Sequence, residues 1–139
     1  MALTVKDVMT ANPVTLPGEA PVVEAAKKMR EENIGDVIVL DGDSICGVVT
    51  DRDIVVRVLA EERQPAQTRL NEICSKDLAT VSPDDELTQA GDLMLERTVR
   101  RVPVVENGRP VGIVSIGDLA KERDPDSPLG EISSAPPNN

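Results

Sequence analysis

Apolar residues come in short runs separated by polar breaks, and the same order of runs is met twice along the chain. In the second half, Leu87, Ala90 and Met94 recur at helical spacing, with Gly91 beside them. Residues 82–85 (SPDD) read as that helix's start: Ser82 at the N-cap, Pro83 in the first turn, then acids suited to the positive end of the dipole. A short strand is predicted over 102–105, a hairpin turn at the Asn-Gly of 107–108, a returning strand over 111–114, and a helix opened by Ser115 over 116–123. Upstream, 70–74 reads as a short helix and 79–81 as a brief extended stretch. The first half repeats this. A helix over 21–32 stops at Asn33, strands over 37–40 and 45–49 flank the turn DGDS, and a helix covers 51–61. Residues 62–69 are polar and link the halves.

Shifted by 65, residues 5–57 fall on 70–122 without a gap. Thr15 meets Thr80, Ala25 meets Ala90, Met29 meets Met94, Gly47 meets Gly112 and Asp53 meets Asp118. Only two copies with so long a period predict a pseudo-symmetric pair that packs face to face, not an extended array. The expected architecture is α+β, two βαββα repeats packed sheet to sheet. The first repeat with its linker covers 1–65 and the second 66–124. The tail over 125–139, with four prolines and little apolar surface, is expected to be disordered.

Composition narrows the chemistry. Of 139 residues, 40% are hydrophobic, yet Phe, Tyr and Trp are absent, so the core must be aliphatic and no ring can stack on a bound base. A net charge of −10, from 25 acids against 15 bases, argues against nucleic acid and against anionic membrane surfaces. There is no histidine, which removes the commonest general base and metal ligand. Two cysteines fall short of a structural zinc site. Cys46 and Cys74 read as free buried thiols, with a disulfide between them left open. No signal-like apolar segment and no membrane span is read, so a soluble, cytoplasmic protein is expected. With neither a nucleophile beside a base nor a metal cluster nor a phosphate-loop pattern, no enzyme, catalytic residue or catalytic cofactor is expected.

The chemistry that remains lies in two octets, GVVTDRDI at 47–54 and GIVSIGDL at 112–119. Thr50-x-x-Asp53 and Ser115-x-x-Asp118 have capping-box spacing, so each can simply start a helix. The same spacing also offers helix N-terminal amides, a hydroxyl and a carboxylate to an anionic ligand.

Behind two hairpins at equal spacing, these octets carry a resemblance to the CBS domain family, named from cystathionine β-synthase, in the form of a stand-alone tandem pair (a Bateman module). VxDVM at 5–9, PVxEAAKKM at 21–29 and RRVPVVENGRPVGIVSIGDL at 100–119 belong to it, and TDRDIVVRVLAE is similar to small bacterial proteins made of this pair alone. The resemblance implies a regulatory adenosine ligand (AMP, ADP, ATP or S-adenosylmethionine) in clefts between the repeats. It implies that Thr50 and Asp53 serve one cleft and Ser115 and Asp118 the other, the hydroxyl binding phosphate and the acid binding ribose. The base is expected against Thr15, Val14, Val37 and Val39 in one cleft and Thr80, Ala79, Val102, Pro103 and Val104 in the other. Arg52 is the phosphate cation of the first copy, and Arg101, with Arg97 and Arg100, that of the second, so unequal affinities are expected. A homodimer through the helices after each octet, with Ile54, Val55, Val58 and Leu59 on its surface, and a protein partner in trans complete the expectation. The alternative is a ligand-free interaction module.

Overall fold

The computed structural model describes residues 3–76 and 78–123; the tail over 125–139 lies outside the described residues. Along the chain the elements are α1 (Val5–Val8), β1 (Thr10–Ala11), β2 (Thr15–Pro17), α2 (Val22–Glu32), β3 (Asp36–Asp41), β4 (Ser44–Thr50), α3 (Asp51–Ile54) continued by a π-helical segment (Val55–Leu59), α4 (Leu70–Ile73), α5 (Leu87–Arg97), β5 (Arg101–Glu106), β6 (Arg109–Ser115) and α6 (Ile116–Arg123). They form two compact units. The continuous unit is Val14–Leu78, and among the described residues the split unit joins those up to Pro13 with 79–123. The units are therefore cut differently from the sequence repeats, because the opening helix of each repeat folds into the other unit.

In the continuous unit, β2 runs parallel to β3, and β3 pairs antiparallel with β4. In the split unit, β5 and β6 form the hairpin and β1 adds antiparallel to β6. Every register obeys the 65-residue offset. Leu16 pairs with Val39 as Val81 bridges to Val104, and Thr10 pairs with Ile113 as Ser75 bridges to Val48. Both hairpins carry a bulge at the same place, after Val39 and after Val104. The turns follow from residue type. Asn107 and Gly108 both take positive φ (54° and 79°), as the two-residue hairpin requires, and Gly42 does so at 65° in the other.

Each unit has an aliphatic core. In the continuous unit Val22 and Ala25 of α2 pack on Val37, Val39 and Val49, and Leu70 and Ile73 of α4 complete it. In the split unit Leu87, Ala90 and Met94 of α5 pack on Val102, Val104 and Val114, and Val5 of α1 takes the place of Leu70. The polar linker is docked as well. Thr68 is buried and its hydroxyl donates to the Gln64 carbonyl, while its own carbonyl accepts from Val22 N.

Two expectations need correction. SPDD does not begin a helix. Glu86 is held extended by its bridge to Thr4, so α5 starts only at Leu87, and 82–85 form a turn closed by Asp85 N to Ser82 O. The helix over 51–61 changes pitch at Val55, where Ala60 N bonds Val55 O and Arg63 N bonds Val58 O, both five residues back. The same stretch buries Ile54 and Val58, which are core rather than surface, and leaves Val55, Val56 and Leu59 exposed. Among the described residues, no helix is long and apolar enough to cross a membrane.

Two glycines let the exchanged segments approach the second strand of each hairpin. A Cβ on Gly47 would press into the Ser75 carbonyl oxygen, with Cys74 Sγ 2.9 Å away; one on Gly112 would first meet the flexible Met9 sulfur at 2.5 Å. Overpacking costs about 1–3 kcal/mol. Thermal unfolding followed by circular dichroism is expected to place Gly47→Ala below Gly112→Ala, and both below wild type.

Candidate functional site

The octets lie where the second strand of each hairpin passes into a helix. At this junction Thr50 is extended (φ −109°, ψ 165°) and Asp51 already helical, so the first amides of α3 have no partners within the helix; Asp51 N donates to the Gly35 carbonyl at 3.0 Å, and Asp53 N needs a side chain. The side chains close the turn reciprocally. Asp53 N donates to Thr50 Oγ1 at 3.1 Å, and Thr50 N donates to Asp53 Oδ2 at 2.9 Å. At the other octet Asp118 N donates to Ser115 Oγ at 3.2 Å, and Ser115 N to Asp118 Oδ2 at 2.8 Å. Both octets are therefore capping boxes in fact.

Capping does not exhaust these groups. A hydroxyl that accepts through a lone pair keeps its proton for donation. The cap uses Oδ2 of each acid. Oδ1 of Asp53 lies 3.8 Å from Arg57 Nε, and Oδ1 of Asp118 lies 3.9 Å from Lys121 Nζ, with both carboxylates 15% exposed. Each acid thus keeps a second oxygen for hydroxyl donors. Arg57 also donates from Nη1 to the Ile73 carbonyl at 2.9 Å, tying Asp53 to the end of α4. Arg57 was missed in the sequence, although its i,i+4 spacing from Asp53 was a readable signal.

All the expected residues of the first octet's set (Thr15, Val37, Val39, Thr50, Arg52 and Asp53) lie in the continuous unit, and those of the second (Thr80, Arg101, Val102, Pro103, Val104, Ser115 and Asp118) in the split unit. Their side chains do not all face outward. Val37, Val39, Val102 and Val104 are fully buried core residues, so their side chains are not available to a ligand. Strand alternation puts Ile38 and Pro103 on the opposite face from those valines. Both are buried as well: Ile38, equivalent to Pro103 by the offset, is 1% accessible. Thr15 is half-buried on β2, where it pairs with Ile38, while Thr80, Arg52, Arg97, Arg100 and Arg101 are exposed.

The two sets differ in charge and in hydrogen bonding. Thr50 stands opposite Asp36 on the neighbouring strand, whereas Ser115 stands opposite Arg101. Ile38 N donates to the Val14 carbonyl at 3.0 Å; Pro103 has no N–H, so the equivalent Ala79 carbonyl receives no such bond.

The pattern of the CBS domain matches the chain twice, over residues 5–60 and 70–132. CBS domain-containing protein YhcV of Bacillus subtilis is 38% identical over 117 residues, covering 84% of this chain and 83% of that protein. Among solved structures, Hypoxic Response Protein I with two coordinated zinc ions superposes with a TM-score of 0.78 at 33% identity, covering 86% of this chain and 98% of the other. The CBS domain pair of protein MJ0100, in complex with 5-methylthioadenosine and S-adenosyl-L-methionine, gives 0.79 at 27% identity, covering 88% and 96%. Two pattern matches and these similarities agree with the duplicated hairpins and caps: the chain belongs to the CBS domain family as a tandem pair.

Proposed function

We propose that the chain is a non-catalytic regulatory module that binds an adenosine compound at one or both octets and passes its occupancy to a protein partner in trans. The observation that carries this reading is the division of labour inside the caps. One carboxylate oxygen and one hydroxyl lone pair hold the helix start, leaving a hydroxyl proton for phosphate and a second oxygen for ribose. The MJ0100 pair, seen with two adenosine compounds, supports the ligand class.

The asymmetry of the two sets orders their preferences. Arg101 beside Ser115 favours a phosphate, and the Ala79 carbonyl, without a donor from Pro103, can accept from the adenine amino group. Asp36 beside Thr50 repels phosphate and favours a neutral or sulfonium-bearing nucleoside, with Arg52 as the opposing cation. A specific observation also favours a second reading, a ligand-free interaction module: both caps are complete without any ligand.

A dye-based thermal shift separates the two, since without Trp or Tyr the chain has no useful intrinsic fluorescence. AMP, ATP or S-adenosylmethionine at 100 times its dissociation constant is expected to add about 2.7 kcal/mol, several degrees for a domain of this size. Arg101→Ala is expected to weaken AMP and ATP while leaving S-adenosylmethionine little changed. No shift with any of the three, from nucleotide-free protein, supports the interaction module instead.

The exposed Val55, Val56 and Leu59, 55%, 45% and 56% accessible, form an apolar helix face that a second copy of the chain would cover. We assign the homodimer to this face. Light scattering at micromolar concentration is expected to give a dimer for wild type and a monomer for the double variant Val55→Glu/Leu59→Glu; a wild-type monomer contradicts the assignment.

A further inference from the structure

Cys46 and Cys74 are 28 positions apart in sequence, yet their sulfur atoms lie 3.7 Å apart. Both belong to the continuous unit. Cys46 is the extra residue of the bulge in β4: Val39 pairs with Gly47 and Leu40 with Ile45, so no residue of β3 opposes it. Bulges commonly sit where a strand re-aims a side chain. Cys74 is the C-cap of α4, in extended conformation, and its neighbour Ser75 exchanges hydrogen bonds with Val48 at 3.0 and 3.3 Å. Both cysteine backbones are thus pinned beside each other by β4.

The split unit supplies an internal comparison. By the 65-residue offset, Val111 stands at the place of Cys46 and Met9 at that of Cys74, on the same bulge and against the equivalent glycine. Val111 and Met9 pack there against the core. Packing at this place therefore does not require sulfur at both positions. The continuous unit nonetheless puts both of the chain's two cysteines there.

We propose that Cys46 and Cys74 form a reversible disulfide, a redox-sensitive staple joining the bulge of β4 to the end of α4. Cys46 is partly exposed and Cys74 is 6% accessible. Burial, followed by the neighbouring Cys46, pushes the Cys74 thiol up to about 11, so it stays protonated at neutral pH and Cys46 meets the oxidant first. With a low-molecular-weight disulfide as oxidant, the Cys46 thiolate attacks one of its sulfurs. The other half leaves as a thiolate and takes up the proton Cys46 lost. Cys74 then gives up its proton and attacks Cys46 Sγ, displacing the second half, which leaves as a thiol. The protein's two thiols lose two electrons and two protons, and one small disulfide becomes two thiols. For the bond to form, the sulfurs must close from 3.7 Å to about 2.05 Å. The loop so closed holds α3, the π segment and the linker, so the bond restrains the unfolded chain.

The test equilibrates the full chain with glutathione disulfide or with dithiothreitol, reads the melting temperature of one portion, and unfolds another in denaturant after an acid quench, alkylating it there with N-ethylmaleimide before its intact mass is read. The oxidised protein is expected to be lighter by two hydrogens, to take no alkyl group, to remain a single covalent chain, and to melt several degrees higher. Dithiothreitol restores both alkylation sites. In Cys74→Met, which borrows the residue of the split unit and so preserves the core, a glutathione adduct on Cys46 is expected to persist without resolving. Oxidised wild-type protein, folded by circular dichroism, that still takes two alkyl groups, carries persistent adducts, or links two chains overturns the proposal.

Discussion

Two hydrogen bonds running in opposite directions between a hydroxyl residue and an acid three positions later close each strand-to-helix junction. Without them the last residue of β4 or β6 and the first turn of the following helix would leave backbone donors unmatched. The junction sets where each helix starts, and hence which of its residues reach the core. From Asp53 onward, Ile54 and Val58 fall inward while Val55 and Leu59 fall outward. The cap also fixes the acid's second oxygen beside the hydroxyl oxygen, whose proton is not used by the cap. In the proposed function, the group that holds the fold is also the one that holds the ligand, already ordered before it arrives.

Around these junctions the chain builds the same unit twice by exchange. A four-residue helix is too short to be stable alone. α1 and α4 exist because Val5 and Leu70 are fully buried, each in the unit formed mostly by the other repeat. The arriving segments then run along the second strand of each hairpin, and this is what makes Gly47 and Gly112 necessary. The duplication is not complete in chemistry. Arg101 answers Asp36, Pro103 answers Ile38, and Val111 and Met9 answer the two cysteines. Each difference changes charge, donor count or redox behaviour while the backbone registers stay in step.

Much of this was legible in the sequence. The 65-residue offset aligned both hairpins, Asn107-Gly108 announced its turn, Asn33 ended α2 with φ 55°, and the octets placed the caps. What was not legible rests on long-range partners. The exchange of α1 and α4 depends on which core receives Val5 and Leu70, and no local pattern encodes that. SPDD has every mark of a helix start, but the bridge from Glu86 to Thr4 delays the helix to Leu87. The π segment divides a largely apolar stretch, broken only by Arg57, into inner and outer residues that periodicity cannot separate. At the candidate site the residue types were readable, while the inward turn of Val37 and Val39 and the bond from Arg57 to the Ile73 carbonyl required the packing.

The claim that the caps hold the fold with one set of atoms and the ligand with another is tested most directly by Asp53→Asn and Asp118→Asn. An asparagine oxygen can still accept from Thr50 N or Ser115 N, but its amide group donates where the second carboxylate oxygen accepted. Titration calorimetry with AMP and with S-adenosylmethionine, alongside the melting temperature, reads both functions. The account predicts a nearly unchanged melting temperature and at least a tenfold loss of affinity, about 1.4 kcal/mol, at the substituted octet. Binding that survives in both variants, or wild-type protein that binds neither compound, would contradict it.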